Sequence, residues 1–349
     1  MRRATRSFAV TTFFAYFTVV LIWATTPLAI QWSGDSLSFM AAVIARMSIA
    51  LALALLIHAV WRHRLYFARD NAAIYFAASI GIFPNMPVVY WAAQFIPSGL
   101  VAVIFAMSPF ATGLLSMLLL RHNPFTPKRV LALLLAVSGL VIIFWHQIRF
   151  DRASIYGIGG ILLSCFLFSF SSVWVKKLSS HLSVPIGAFQ QATGALLFSL
   201  PGLLLFWWVM DFGVADVGLP VTISVKSACA VLYLALIGSL LGSMLFFLIL
   251  QRLSASIVSL ITLITPVLAI LIGRWIANEV LTLETLVGVA VVLLALLLYI
   301  PWSLMSVVRH GRCWLSACFF RRLAKGALSD SHHPETGLEA IRDDMIRYK

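Results

Sequence analysis

The sequence predicts an all-α polytopic membrane protein, ten transmembrane helices built as two inverted five-helix repeats. Three observations lead there. Hydrophobic residues make up 62% of the 349 positions and charged ones only 11%, with a mean hydropathy of +1.00. A soluble domain has no interior for that much apolar surface. The apolar residues also run in near-continuous blocks, each of about the 20 residues that a helix needs to cross a bilayer. Finally, the same succession of blocks occurs twice along the chain.

The elements follow in order. Arg2, Arg3 and Arg6 precede an apolar block that begins at Phe8. The block continues to Ile30, past the ~7–15 residues of a signal-peptide core, so it reads as an uncleaved first helix. The spans are expected at 8–30, 37–60, 72–92, 98–120, 128–146, 155–175, 185–209, 226–248, 257–276 and 282–303. Short connections make successive spans antiparallel neighbours. The domains are then 1–150, the first five-helix repeat; 151–303, the second; and 304–349, a basic tail. Around Trp314, Phe319 and Phe320 that tail has the mixed character of a segment lying on a membrane surface.

The repeat is carried by residues that rarely match by accident. At an offset of 157 positions Gln94 falls on Gln251, Pro109 on Pro266, Gly81 on Gly238 and Ser108 on Thr265. At an offset of 145 Trp23 falls on Phe168 and Arg46 on Gln191. A longer loop around Met210 to Ser224 accounts for the difference. Self-similarity of this kind is read before any other feature. Because five is odd, the second half enters the membrane in the opposite sense, an arrangement common in secondary transporters.

The net charge of +13 could suggest a nucleic-acid partner, but the basic residues lie in short loops and at the ends. Arg62, Arg64, Arg69, Arg121, Lys128, Arg129, Lys176, Lys177 and Arg252 share one side with the N-terminal arginines and the tail. Only Arg149, Arg152, Lys226 and Arg274 fall on the other. The positive-inside rule makes the first side cytoplasmic and places both termini there. The four cysteines, Cys165, Cys229, Cys313 and Cys318, form neither a disulfide framework nor a zinc spacing.

Arg46 is the one charged residue expected deep within a span, about 13 Å from a helix start at Leu37. An ionisable group at that depth faces the bundle interior and is a functional candidate. The alternative is a structural arginine tying helix ends through carbonyl oxygens. Gln190 and Gln191 occupy the corresponding region of the second half. Pro109 and Pro266 interrupt the fourth and ninth spans beside Ser108 and Thr265, and mid-membrane prolines are tolerated where neighbours or water satisfy the freed backbone. Asn85, inside the sequence Pro84-Asn85-Met86-Pro87, is costly against lipid. With Tyr90 and Trp23 it completes the expected lining of a substrate cavity. No Asp or Glu is expected deep in a span, and no GxSxG, metal spacing or histidine–carboxylate cluster occurs. An enzyme is therefore disfavoured, and neither cofactor nor metal is expected.

These residues resemble a known family. Trp23 in IWATTPLAI, Arg46 in VIARMSIAL, and the phrases AMSPFATGLL and LITPVLAILIG with Pro109 and Pro266 are similar to EamA-type members of the drug/metabolite transporter superfamily. Glu279 and Gly288 in ANEVLTLETLVGVAVV add to the likeness, which covers about 8–303. His122 and Leu131 stand where the repeat would duplicate Glu279 and Gly288, so the symmetry is partial. The resemblance implies a bacterial-type inner-membrane permease moving small metabolites, often outward.

The expected function is thus a multi-pass secondary transporter of the cell inner membrane, moving a small polar metabolite by alternating access. A carboxylate-bearing compound suits the planar fork of Arg46. The expected partners are that solute, membrane lipid and a coupling ion, proton or sodium; a homodimer is admissible and nucleic acid is not expected. A multidrug exporter with an aromatic cavity is the alternative, and a membrane receptor or sensor a more distant one.

Overall fold

The computed structural model describes residues 2–62, 65–96, 98–145, 152–182, 186–211, 223–277 and 282–299. These residues form helices and connections, with no strand among them. Met1–Tyr299 make one compact unit. The expected tail from 304, with Cys313 and Cys318, and Glu279 lie outside the described residues.

Five long helices are uninterrupted: α1 (Arg2–Ser33), α2 (Phe39–Val60), α7 (Pro127–Phe144), α8 (Arg152–Ser179) and α9 (Ala188–Asp211). Their starts follow local chemistry. Ser38, in extended conformation, accepts from the Ala41 amide to cap α2. Thr126 does the same for Arg129 at α7, where Pro127 fills the first turn. A hydroxyl cap satisfies one of the orphan amides, and proline gives up only an amide that has no partner there.

The other spans are jointed. The third expected span is α3 (Arg69–Ser79) and α4 (Asn85–Ala92), and the fourth expected one α5 (Ser98–Phe105) and α6 (Ser108–Leu120). The eighth is α10 (Val225–Tyr233), a π-helical turn over Leu234–Leu241, and α11 (Gly242–Arg252). The ninth is α12 (Ala255–Val258) and α13 (Ile261–Ala277); α14 (Leu283–Tyr299) ends the described chain. The joints therefore fall in the third, fourth, eighth and ninth of the expected spans. Eight helical stretches are long and apolar enough to cross a membrane, α14 is a shorter apolar helix, and the third segment is divided into pieces of 11 and 8 residues. Many large apolar side chains face outward, Leu118, Leu205 and Leu297 among them. That is the surface of a multi-pass membrane protein, whose solvent is lipid.

Pro109 differs from its expected setting. It does not remove a hydrogen bond from the middle of a continuous helix, because it sits in the first turn of α6, where its missing amide matters least. Pro266 does lie inside a helix, α13.

The packing exchanges elements between the halves. α1 packs on α10, α11 and α13, whereas α8 packs on α3, α4, α5 and α6. α2 meets the π-helical turn and α9, while α9 meets α3, α2 and α11. α7 and α14 pair with each other. Hydroxyls of α8 satisfy backbone carbonyls at the joints: Ser171 donates to Ala77 O at 2.7 Å and Ser169 to Ser108 O at 3.3 Å. This is how broken helices survive in hydrocarbon, where a free carbonyl has no water. The α7–α14 crossing needs glycine on both sides. A Cβ on Gly139 would lie 2.9 Å from Gly288 O, and one on Gly288 would lie 2.7 Å from Gly139 O.

Candidate functional site

α2 starts beside the Asp35 turn and carries Arg46 seven residues in. At ~1.5 Å per residue the arginine is about 10 Å from that end and about 21 Å from Val60. Its side chain is only 4% exposed. Nε donates to Ser239 Oγ at 2.8 Å, and the Tyr90 hydroxyl bonds to the same guanidinium. Nη1 is enclosed with no hydrogen-bond partner. Ser239 comes from the π-helical turn, whose wider winding is frequent at functional sites. Next to it, a Cβ on Gly238 would be in ordinary contact with Leu234 Cδ2 at 3.5 Å, Thr26 Oγ1 at 3.9 Å and Arg46 Nη2 at 4.0 Å. The guanidinium thus has a buried donor to spare, as an anion-binding fork requires.

Aromatic rings pack between α1, α8 and α11, and beside Tyr90. Trp23 stacks on Phe246 at 5.3 Å between centroids and meets Phe168 edge-on at 6.0 Å; its indole nitrogen lies 3.4 Å from a Cβ built on Gly242. Trp23 and Phe168 are the equivalents at the offset of 145, so the two halves touch through matching residues. Tyr90 stacks on Phe39 at 6.2 Å.

The other expected lining residues are distributed differently. Asn85 is buried, but Ser164 of α8 donates to its Oδ1 and its own Nδ2 donates to Gly81 O. It braces the joint between α3 and α4 instead of reaching Arg46. Ser108 donates to Phe105 O and shares a hydrogen bond with Cys165 of α8, and Pro109 is buried beside it. Thr265 and Pro266 are half-buried on α13, which packs on α1 and α5.

Gln190 and Gln191 lie near the opposite end of the bundle from Arg46. α9 begins at the end where α8 finishes, so its fourth residue is far from the level reached by the eighth residue of α2. Gln190 bonds to Tyr75, and Gln191 Oε1 accepts from Gln251 Nε2 at 2.9 Å. The same level holds His58 of α2, whose Nε2 is 3.2 Å from Thr193 Oγ1. His58 is 12 residues, or about 18 Å, along α2 from Arg46.

At that end Lys176 Nζ donates to the carbonyls of Leu250, Gln251 and Leu253 at 2.7, 3.1 and 2.9 Å. It caps the C-terminus of α11. A cavity of about 240 Å³ adjoins it, lined by Lys176, Ser179, Ser180, Leu182, Ile186 and Gln251 among others. All three ammonium donors are spent on carbonyls, so this cavity lacks the free cationic donor found at Arg46. At the other end Lys226 pairs with Asp35 at 2.7 Å and lies over the Trp32 ring.

Sequence reasoning missed Ser239, His58 and Lys176. Serine in an apolar run carries no signal of depth, although Ser239 follows Gly238, one of the repeat markers. Among the described residues no three His, Cys, Asp or Glu side chains are grouped to hold a metal.

Residues 10–145 and 155–300 each match the EamA-like transporter family. Protein PecM of Dickeya dadantii is 29% identical over 66% of this chain and 73% of its own length. Protein PagO of Salmonella typhimurium is 27% identical over 72% of this chain and 80% of its own. An uncharacterized transporter of Archaeoglobus fulgidus is 26% identical over 62% of this chain and 70% of its own. A crystal structure at 15% identity superposes with a TM-score of 0.67, covering 83% of this chain and 96% of the other, and so shares the fold.

Proposed function

Because the chain belongs to the EamA-like transporter family, we propose that it is a secondary transporter carrying a small, carboxylate-bearing metabolite such as an amino acid outward across the inner membrane by alternating access. The observation that carries the solute class is Arg46: a buried guanidinium held by Ser239 and Tyr90, with Nη1 unpartnered. A charge buried within a span needs partners, and a planar fork with a free donor matches a carboxylate.

The architecture proposed is ten crossings in two inverted repeats, with boundaries near residue 150 and both termini cytoplasmic. The exchange of packing partners between the halves supports the inversion, as does the depth of the equivalents Arg46 and Gln191, which lie towards opposite ends of the bundle. An in-plane two-fold axis has that effect. The end gathering Lys176, Lys177, Arg121 and Arg252 is the basic one, which supports its cytoplasmic placement. Trp23, Arg46 and Tyr90 are proposed to contact solute. Asn85, Ser108 and Pro109 with Thr265 and Pro266 are proposed to shape the path through the joints they occupy, and Gln190 and Gln191 to line its cytoplasmic mouth.

The aromatic cluster of Trp23, Phe168 and Phe246 favours a second reading, a multidrug exporter, but Arg46 would repel the cationic compounds such pockets select. The test is uptake and efflux of a metabolite panel in vesicles, with and without imposed proton and sodium gradients. Movement of carboxylate-bearing metabolites above empty vesicles is expected. Movement of lipophilic cations alone would favour the second reading, and movement of nothing would remove both.

A further inference from the structure

We propose that a sodium ion binds at the joint between α5 and α6, on a seam of hydroxyls that α6 shares with α8. Ser108, Thr112 and Ser116 follow one another at four-residue steps on α6, and so lie on one face. All three are buried. Cys165, Ser169 and Ser172 form a buried face of α8 in the same way. Ser108 joins the two faces: its Oγ is 3.2 Å from Cys165 Sγ, and its carbonyl accepts from Ser169 Oγ at 3.3 Å.

Thr112 carries the argument. It is 1% exposed, and its Oγ1 has no hydrogen-bond partner. A threonine inside a helix ordinarily donates to a carbonyl one turn back. For Thr112 the carbonyl four residues back is that of Ser108, which Ser169 already uses. The neighbouring hydroxyls are bonded within their own helices or joints: Ser108 to Phe105 O at 2.6 Å, Ser116 to Thr112 O at 2.7 Å and Ser172 to Phe168 O at 2.9 Å. Hydroxyls between membrane helices commonly act as glue, but glue needs a partner. A buried hydroxyl without one costs stability, and a bound ion removes that cost.

The equivalent seam lies between α13 and α1, which also pack on each other. The offset of 157 carries Ser108, Thr112 and Ser116 to Thr265, Ala269 and Gly273. The offset of 145 carries Cys165, Ser169 and Ser172 to Val20, Ala24 and Pro27. That pair of helices packs with one hydroxyl at the six positions. Packing alone therefore does not call for the hydroxyls between α6 and α8.

The ligand class follows from the donors. Divalent ions in proteins are held largely by carboxylates, and this seam has none. Uncharged hydroxyls and the carbonyls of a broken helix suit a monovalent ion, whose hydration shell they replace. The C-terminal end of α5 adds the negative end of a helix dipole at the joint. Thr112 Oγ1, Ser169 Oγ and the Ser108 carbonyl are the assigned ligands. An ion held by them fastens the start of α6 to α8, and the consequence is transport driven by a sodium gradient.

That consequence rests on the transport reading, but the test of the site needs no solute. The purified full chain is unfolded thermally in sodium chloride, potassium chloride or choline chloride at equal ionic strength. An ion that binds only the folded state raises the unfolding temperature with its concentration. We expect a rise of several degrees in sodium over choline, and a smaller one in potassium. Thr112→Val should lose the rise while unfolding in choline no earlier than the unsubstituted protein, because the hydroxyl it removes has no partner there. Thr112→Ser should keep the rise, as should Ser138→Ala at an exposed position of α7. Should Thr112→Val fail to fold, Ser169→Ala makes the same comparison. No rise in sodium, a rise of the same size in potassium or choline, or a rise undiminished in Thr112→Val or Ser169→Ala overturns the proposal and leaves the transport reading standing. An intact sodium response beside vesicles that move no solute supports the site and removes the transport reading.

Discussion

Replacing Arg46 by methionine separates a binding arginine from a structural one. The substitution removes the bonds to Ser239 and Tyr90. Hydrogen bonds to a charged group contribute about 1.5–3 kcal/mol each, so about 3–6 kcal/mol is lost. It also removes a charge whose insertion at mid-helix costs about 2.5–3.5 kcal/mol. The net loss of stability is then about 0–3 kcal/mol, and methionine fills much of the vacated volume. Transport is expected to suffer more. A carboxylate held by two charge-assisted bonds loses about 3–6 kcal/mol of binding without them, and each 1.4 kcal/mol is about tenfold. Transport per folded molecule should fall at least about a hundredfold, while thermal unfolding of the purified protein moves only modestly. Arg46→Lys should transport nearly as poorly as Arg46→Ala, because an ammonium cannot reproduce the fork. Full transport per folded molecule in Arg46→Met would refute the reasoning. So would a fully active Arg46→Lys beside an Arg46→Met that does not fold.

Other substitutions test the frame around this site. Ser239→Ala leaves Arg46 Nε without its acceptor and should weaken solute binding about 5- to 150-fold, from about 1–3 kcal/mol; Ser239→Thr should restore most of it in the same vesicle assay. Gly139→Ala puts a methyl 2.8 Å from Val292 Cγ2 and 2.9 Å from Gly288 O. It should cost about 1–3 kcal/mol of stability, read by thermal unfolding, whereas Gly159→Ala, with nothing within 4 Å of its new methyl, should not destabilise. Lys176→Met strips three carbonyls of their donor; a lower unfolding temperature and faster hydrogen exchange around 250–254 are expected, with partial rescue by Lys176→Arg.

The class of the protein was legible because lipid leaves long apolar blocks no other use. The repeat was legible because Pro, Gly and Gln stand out from an apolar background. Arg46 was legible for the same reason. Its partners were not, since Ser239 lies 193 positions away and a serine can face anywhere on a helix. Gln190 and Gln191, which the offset matches to the region of Arg46, lie at the other end of the bundle, as the proposed inverted repeat would have it. Such an axis sends equivalent residues to opposite depths, so matching by offset argues against proximity away from the axis. Trp23 and Phe168 touch because they lie close to where the halves meet. The breaks at Pro84 and Pro109 were visible as prolines, but whether a proline kinks a helix or starts a new one depends on neighbours. Here the α8 hydroxyls at Ser169 and Ser171 accept the role of binding the loosened backbone, and their spacing in the sequence carried no such meaning.

The most direct test of alternating access at Arg46 is the two-sided accessibility of its partner. Ser239→Cys is introduced into the chain with Cys165, Cys229, Cys313 and Cys318 replaced, and oriented vesicles are treated with a membrane-impermeant thiol reagent from one side or the other. We expect labelling from both sides, slowed from both by the transported carboxylate. Labelling from one side only, whatever the gradient or solute, would contradict a site that opens alternately to each face of the membrane.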